Sequence, residues 1–116
     1  MVIGLDQNQA LRLWWGVLAD SVRGDGPDLS ARQMAILLTV YLKDGPHTVR
    51  GLAAGLNISK PAVTRALDRL AELEFARRVK DTQDRRNVLI QRTVKGSVFF
   101  SEFADLISAA AGALDG

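Results

Sequence analysis

The chain has 116 residues, of which 47% are apolar, a formal net charge of +2, one histidine and no cysteine. This length predicts one domain over residues 1–116 with a single modest core. The missing thiols exclude disulfide staples, cysteine-based zinc sites and thiol redox switching. No stretch approaches the roughly 20 apolar residues of a membrane span, and MVIGLDQNQ lacks the basic start and apolar run of an export signal. A cytoplasmic protein with no membrane partner is expected.

Residues 6–23 read as a first helix, because Leu11, Trp14, Trp15, Leu18 and Val22 recur at spacings of three and four. RGDGPD is a turn-rich loop. Ser30 and Gln33 then form an S-x-x-Q capping box that opens a second helix over residues 31–43, with Met34, Ile36, Leu37, Val40 and Tyr41 inward. Asp44–Pro46 ends it. Thr48 caps a short third helix, residues 49–56, that turns Leu52, Ala53 and Leu56 inward. Asn57 tolerates the left-handed geometry of the tight turn that follows. Ser59 caps a fourth helix over residues 60–73, where Pro61 sits in the first turn and needs no donor.

The fourth helix is two-faced. Val63, Ala66, Leu67, Leu70 and Leu73 fall on one side; Pro61, Thr64, Arg65, Asp68 and Glu72 fall on the other, with Ala62 and Arg69 flanking. Residues 75–80 and 87–93 read as two strands joined by the polar tip DTQDRR. A last helix over residues 94–114 is apolar almost all round and needs burial on more than one side. The order is helix-turn-helix plus wing: a mainly α fold with a small β-hairpin.

Charge follows the same map. Residues 59–92 hold nine Lys and Arg against five Asp and Glu, whereas residues 1–28 and 93–116 are each net −2. The positive segment suits phosphates and leaves the ends for another task. Ser59 and Lys60 are placed to touch phosphate; Thr64 and Arg65 point outward where base edges would lie, flanked by Ala62 and Arg69. Arg77, Arg78, Lys80, Arg85, Arg86 and Arg92 crowd the hairpin, and Asp81 and Asp84 are expected to restrain the tip arginines by local pairing. His47 has no His or Cys partner for a metal or a catalytic triad and reads as a solvated loop residue. No enzyme, metal or cofactor is expected.

Residues 29–96 resemble the multiple-antibiotic-resistance regulator (MarR) family of bacterial winged-helix repressors. The resemblance is carried by Leu52-Ala53, Ser59, Val63-Thr64-Arg65, Leu67-Asp68-Arg69-Leu70, Arg78, Asp81, Asp84-Arg85-Arg86, Thr93 and Gly96. It implies a DNA-binding core over 29–96 and dimerisation helices over 6–23 and 94–114. It also implies a homodimer on a pseudo-palindromic operator, associated with the nucleoid when bound, with each recognition helix in a major groove and each wing on a minor groove. Arg86, then Arg85, would enter that minor groove, oriented by Asp68 or Asp84. The dimer contact would use Trp14, Trp15, Leu18, Phe99, Phe103, Leu106 and Ile107. A small aromatic effector near Trp14, Trp15 and Tyr41 is a further implication. Three positions depart from the family pattern: Glu74 stands where Gly is usual, Gly51 where Glu is usual, and Arg92 where an apolar residue is usual. Two other readings stay open on sequence: a winged-helix module that binds protein, and an architectural DNA-binding factor that senses nothing.

Overall fold

The computed structural model describes residues 4–115. Helix α1 (Gln7–Arg23) is followed by α2 (Ala31–Leu42), strand β1 (His47–Thr48), α3 (Val49–Leu56) and α4 (Lys60–Glu72). Strands β2 (Ala76–Lys80) and β3 (Val88–Arg92) come next, then α5 (Val94–Gly112) and a 3₁₀ turn, Ala113–Asp115. The chain divides into two compact units: Leu29–Phe99, and Met1–Asp28 with Phe100–Gly116. No helix among the described residues is long and apolar enough to cross a membrane.

Local chemistry sets the helix starts. Asp6 accepts the Gln9 N–H while the Gln9 side chain accepts the Asp6 N–H, a closed capping box. Ser30 and Gln33 do the same for α2. Thr48 Oγ1 accepts the Gly51 N–H at 3.0 Å, so α3 keeps half a box although Gly51 cannot return the bond. Ser59 Oγ accepts the Ala62 N–H and starts α4. Asn57 closes α3 at φ 54°, as expected of a left-handed cap.

In the Leu29–Phe99 unit, Ile36, Leu37 and Val40 of α2 and Leu52 of α3 meet Val63, Leu67 and Leu70 of α4, with Phe75 and Ile90 closing the core. Each such side chain contributes about 1.5–3 kcal/mol on burial, so α4 is held along its whole inner face. Met34 and Tyr41, expected in this core, are half-buried.

The sheet has three strands in the order β1-β3-β2, all antiparallel. The two-residue β1 adds to the expected hairpin: His47 pairs with Ile90 and Thr48 with Leu89. His47 is therefore no solvated loop residue. It is half-buried in a strand, and its Nε2 lies 2.9 Å from the Lys43 carbonyl.

A polar node ties the root of the wing to α2. The Tyr41 hydroxyl accepts the Thr93 N–H at 2.9 Å and donates to the Phe75 carbonyl at 2.7 Å. Thr93 Oγ1 donates to the Glu74 carbonyl and accepts the Gly96 N–H, capping α5. Gly96 is required here, since a Cβ would run into the Tyr41 hydroxyl and the Phe75 carbonyl. Glu74 sits at φ 62°, the backbone that glycine adopts freely.

In the other unit, α1 and the later part of α5 pack through small residues. A Cβ on Gly16 would lie 3.3 Å from the Ala110 Cβ, and Val17 and Ala110 are buried. The stripe Leu11, Trp14, Trp15, Leu18 and Val22 stays exposed.

Candidate nucleic-acid interface

Helix α4 presents its polar face as expected. Pro61, Thr64, Arg65, Asp68, Arg69 and Glu72 are exposed, opposite a fully buried row. Ala62 is corrected: it turns inward, only 5% exposed, and its N–H is taken by Ser59. A methyl side chain fits against the core where the flank of a helical wheel meets it, so Ala62 offers no surface to a base. Ser59 and Lys60 are exposed at the start of the helix.

Ion pairing sorts the cations. Arg69 pairs with Glu72 one turn on, at 3.4 Å. Asp68 pairs with Arg78 of β2 at 2.8 Å, which joins the recognition helix directly to the wing. Asp68 thus orients the wing strand rather than the tip arginine. Lys60 and Arg65 have no ion-pair partner among the described residues. They are the cations that α4 leaves available to phosphate or to a base edge.

At the wing tip, Asp84 is the organiser. It binds Arg86 through both carboxylate oxygens and also accepts the Arg86 backbone N–H. The Arg86 side-chain hydrogen bond, then the backbone one, holds the Asp84 carboxyl below the usual carboxylate range. Arg85 is exposed beside it with no ion-pair partner among the described residues. Among the described residues, Asp81 has no arginine partner. Its Oδ1 accepts the Gln83 N–H at 2.9 Å, so it shapes the turn.

Two basic residues of the hairpin have other tasks. Arg77 donates to Gln91 across the sheet. Arg92 donates from Nε to the Val40 carbonyl at 2.8 Å and from Nη2 to the Lys43 carbonyl at 3.3 Å. Its guanidinium also lies over the Tyr41 ring, 5.8 Å from the centroid. Arg92 therefore satisfies the Val40 carbonyl that the end of α2 leaves free, shares the Lys43 carbonyl with His47, and stands there as a cap. The apolar-to-Arg departure has a structural reason that only the fold reveals.

The residues expected at a dimer contact are split. Trp14 and Trp15 are 58% and 63% exposed, and Leu18 and Ile107 are also exposed. Phe103 and Leu106 are half-buried, and Phe99 stacks on Phe75 with centroids 4.4 Å apart. Among the described residues, no group of His, Asp and Glu is placed to hold a metal ion.

Three antiparallel strands beside a capped helix pair define a winged-helix protein, and solved structures agree. A mutant of MepR from S. aureus bound to an oligodeoxyribonucleotide superposes with a TM-score of 0.72 at 18% identity, covering 92% of this chain and 73% of that one. A mutant of MarR from E. coli complexed with operator DNA gives 0.67 at 22% identity, over 94% and 73%. YusO from Bacillus subtilis gives 0.67 at 22% identity, over 89% and 67%. No curated protein sequence matches the chain. The MarR family profile matches residues 29–88, and the chain belongs to the MarR family. It is accordingly a DNA-binding transcription regulator and not an enzyme.

Proposed function

We propose that the chain acts as a homodimeric repressor on a pseudo-palindromic operator whose half-sites lie about one helical turn apart. Residues 29–96 form the DNA-binding core, and helices α1 and α5 form the dimer contact. Helix α4 enters the major groove, where Ser59 and Lys60 meet phosphate and Thr64 and Arg65 meet base edges, with Arg69 at the flank. The wing reaches the minor groove with Arg86 and Arg85. The observation that carries this reading is Arg65: an exposed guanidinium without an ion partner among the described residues, on a helix whose other face is buried. A guanidinium so placed suits the paired acceptors of guanine.

Support for the dimer is the exposed Trp14, Trp15 and Leu18 face, too apolar to be left in water by a typical monomer. A small aromatic effector belongs to the reading as well. Its support is Trp15, whose ring lines an open hollow of about 210 Å³ with Arg12, Gly16, Asp20 and Ala110. Binding to duplex DNA containing candidate operators, against scrambled duplex over a salt series, tests the reading. Selective binding with a steep salt slope is expected. Equal binding to both would favour an architectural factor, and no binding at low salt would favour a protein-binding module.

A further inference from the structure

We propose that Arg50, on the first helix of the helix-turn-helix, is a phosphate-contacting residue that links the footprint of the recognition helix to that of the wing. This rests on the DNA-binding reading above and adds a contact outside α4 and the hairpin.

Placement comes first. Thr48 lies opposite Leu89 in the sheet, so the chain enters α3 where β3 leaves the wing tip at Val88. Arg50 therefore starts its helix beside the tip. Its charge reaches that far, since it contributes to the lowered Asp84 carboxyl after the two Arg86 bonds.

Chemistry comes second. Arg50 is exposed and has no ion-pair partner among the described residues. The α3 sequence VRGLAAGL holds no acidic residue, so Arg50 is its only charge. A cation in the first turn also opposes the helix dipole, which favours anions there. Local stability thus argues against Arg at this position. Among the described residues its one favourable charge is the distant Asp84 carboxylate, which Arg86 already binds, and a cation that breaks the local rule for so little points to a task outside the fold.

The geometry then supplies the task. Lys60 and Arg65 occupy α4 and Arg85 and Arg86 occupy the wing; Arg50 lies on α3, the helix that leads into α4, and at the β1 end that pairs with β3 next to the wing tip. A duplex touching both α4 and the wing presents backbone phosphates between the two grooves. Arg50 is the exposed cation positioned for them. Its side chain makes the contact, so the term is electrostatic and independent of sequence.

The test uses the full chain and fluorescence anisotropy on a random-sequence duplex and on an operator duplex obtained by in vitro selection. Arg50→Ala is expected to weaken binding by about tenfold on both duplexes and to reduce the salt slope by about one. Arg50→Lys keeps the slope. The Ala variant melts near the wild-type temperature, because relief of a cation opposing the dipole offsets the lost attraction to Asp84. An unchanged salt slope for Arg50→Ala, with wild type binding normally, overturns the proposal alone. Failure of wild type to bind either duplex overturns the DNA-binding reading and this proposal with it.

Discussion

Asp84 grips Arg86 at two points, Oδ1 to Nε at 3.2 Å and Oδ2 to Nη2 at 3.4 Å, while Oδ1 also holds the Arg86 N–H at 3.1 Å. One exposed carboxylate thereby fixes both the backbone and the side chain of a wing-tip arginine. The proposed minor-groove residue is oriented before DNA arrives, so less rotamer freedom is lost on binding.

Asp84→Asn should loosen this grip and lower operator affinity roughly two- to fivefold, the range expected of an exposed pair. Binding to random duplex should rise, since a negative charge has left the tip. The pH dependence has a definite sign. The folded carboxyl lies below its ordinary value of 3.8, so the grip is complete above that value and fails only as pH falls through the lower folded one. Operator affinity should therefore show no step from this pair between about pH 5 and 8. A titration of affinity against pH checks it.

Arg65→Ala should cost about 1–3 kcal/mol at one base pair of the operator and relax preference there. Lys60→Ala should instead weaken all duplexes equally and reduce the salt slope by about one. Competition binding against single-base operator variants separates the two. A uniform loss for Arg65→Ala would reassign it to phosphate.

Arg92 is basic and lies in the hairpin, yet its guanidinium is spent on the Val40 and Lys43 carbonyls. Arg92→Ala should destabilise the fold by about 1 kcal/mol, because the Val40 carbonyl loses its donor while the Lys43 carbonyl keeps His47 Nε2 at 2.9 Å. The salt slope of DNA binding should stay unchanged. Urea unfolding and anisotropy on the same preparation test both halves.

Two backbone positions at the root of the wing should respond in opposite directions. Glu74→Gly relieves a left-handed non-glycine residue and should stabilise by about 1 kcal/mol, less the small exposed pair with Lys95. Gly96→Ala drives a methyl into the Tyr41 hydroxyl and should destabilise by roughly 1–3 kcal/mol. Thermal melts of the two variants give the signs directly.

Trp14→Ala should weaken self-association by about 2 kcal/mol, because the exposed indole is expected to be buried against a second copy. Sedimentation over a concentration series reads this. A wild-type chain that stays monomeric at high concentration would remove the dimer from the account.

Much of this was readable from local chemistry. The Ser30–Gln33 box, the Thr48 and Ser59 caps, and left-handed Asn57 are side-chain-to-backbone rules acting within a few residues. The two faces of α4 follow from one helical period. What escaped depends on pairs far apart in the chain. Strand β1 has two residues and no pattern of its own; it exists because β3 has an open edge. Arg92 caps a helix 52 residues away from its own position. The family resemblance offers Asp68 beside Asp84 to the tip arginine, and only the approach of β2 to α4 gives it Arg78 instead. Ala62 sat at the edge of a helical wheel, where a small side chain goes wherever packing leaves room. Arg50 carried a legible sign, a lone cation in a helix's first turn, but its nearness to the wing needed the sheet register.

The most direct test of the central claim is anisotropy of the wild-type chain on a selected operator duplex and its scrambled counterpart across a salt series. The account predicts tighter binding to the operator, with a steep linear fall of log affinity against log salt on both duplexes. Absence of binding to either duplex at low salt would contradict it.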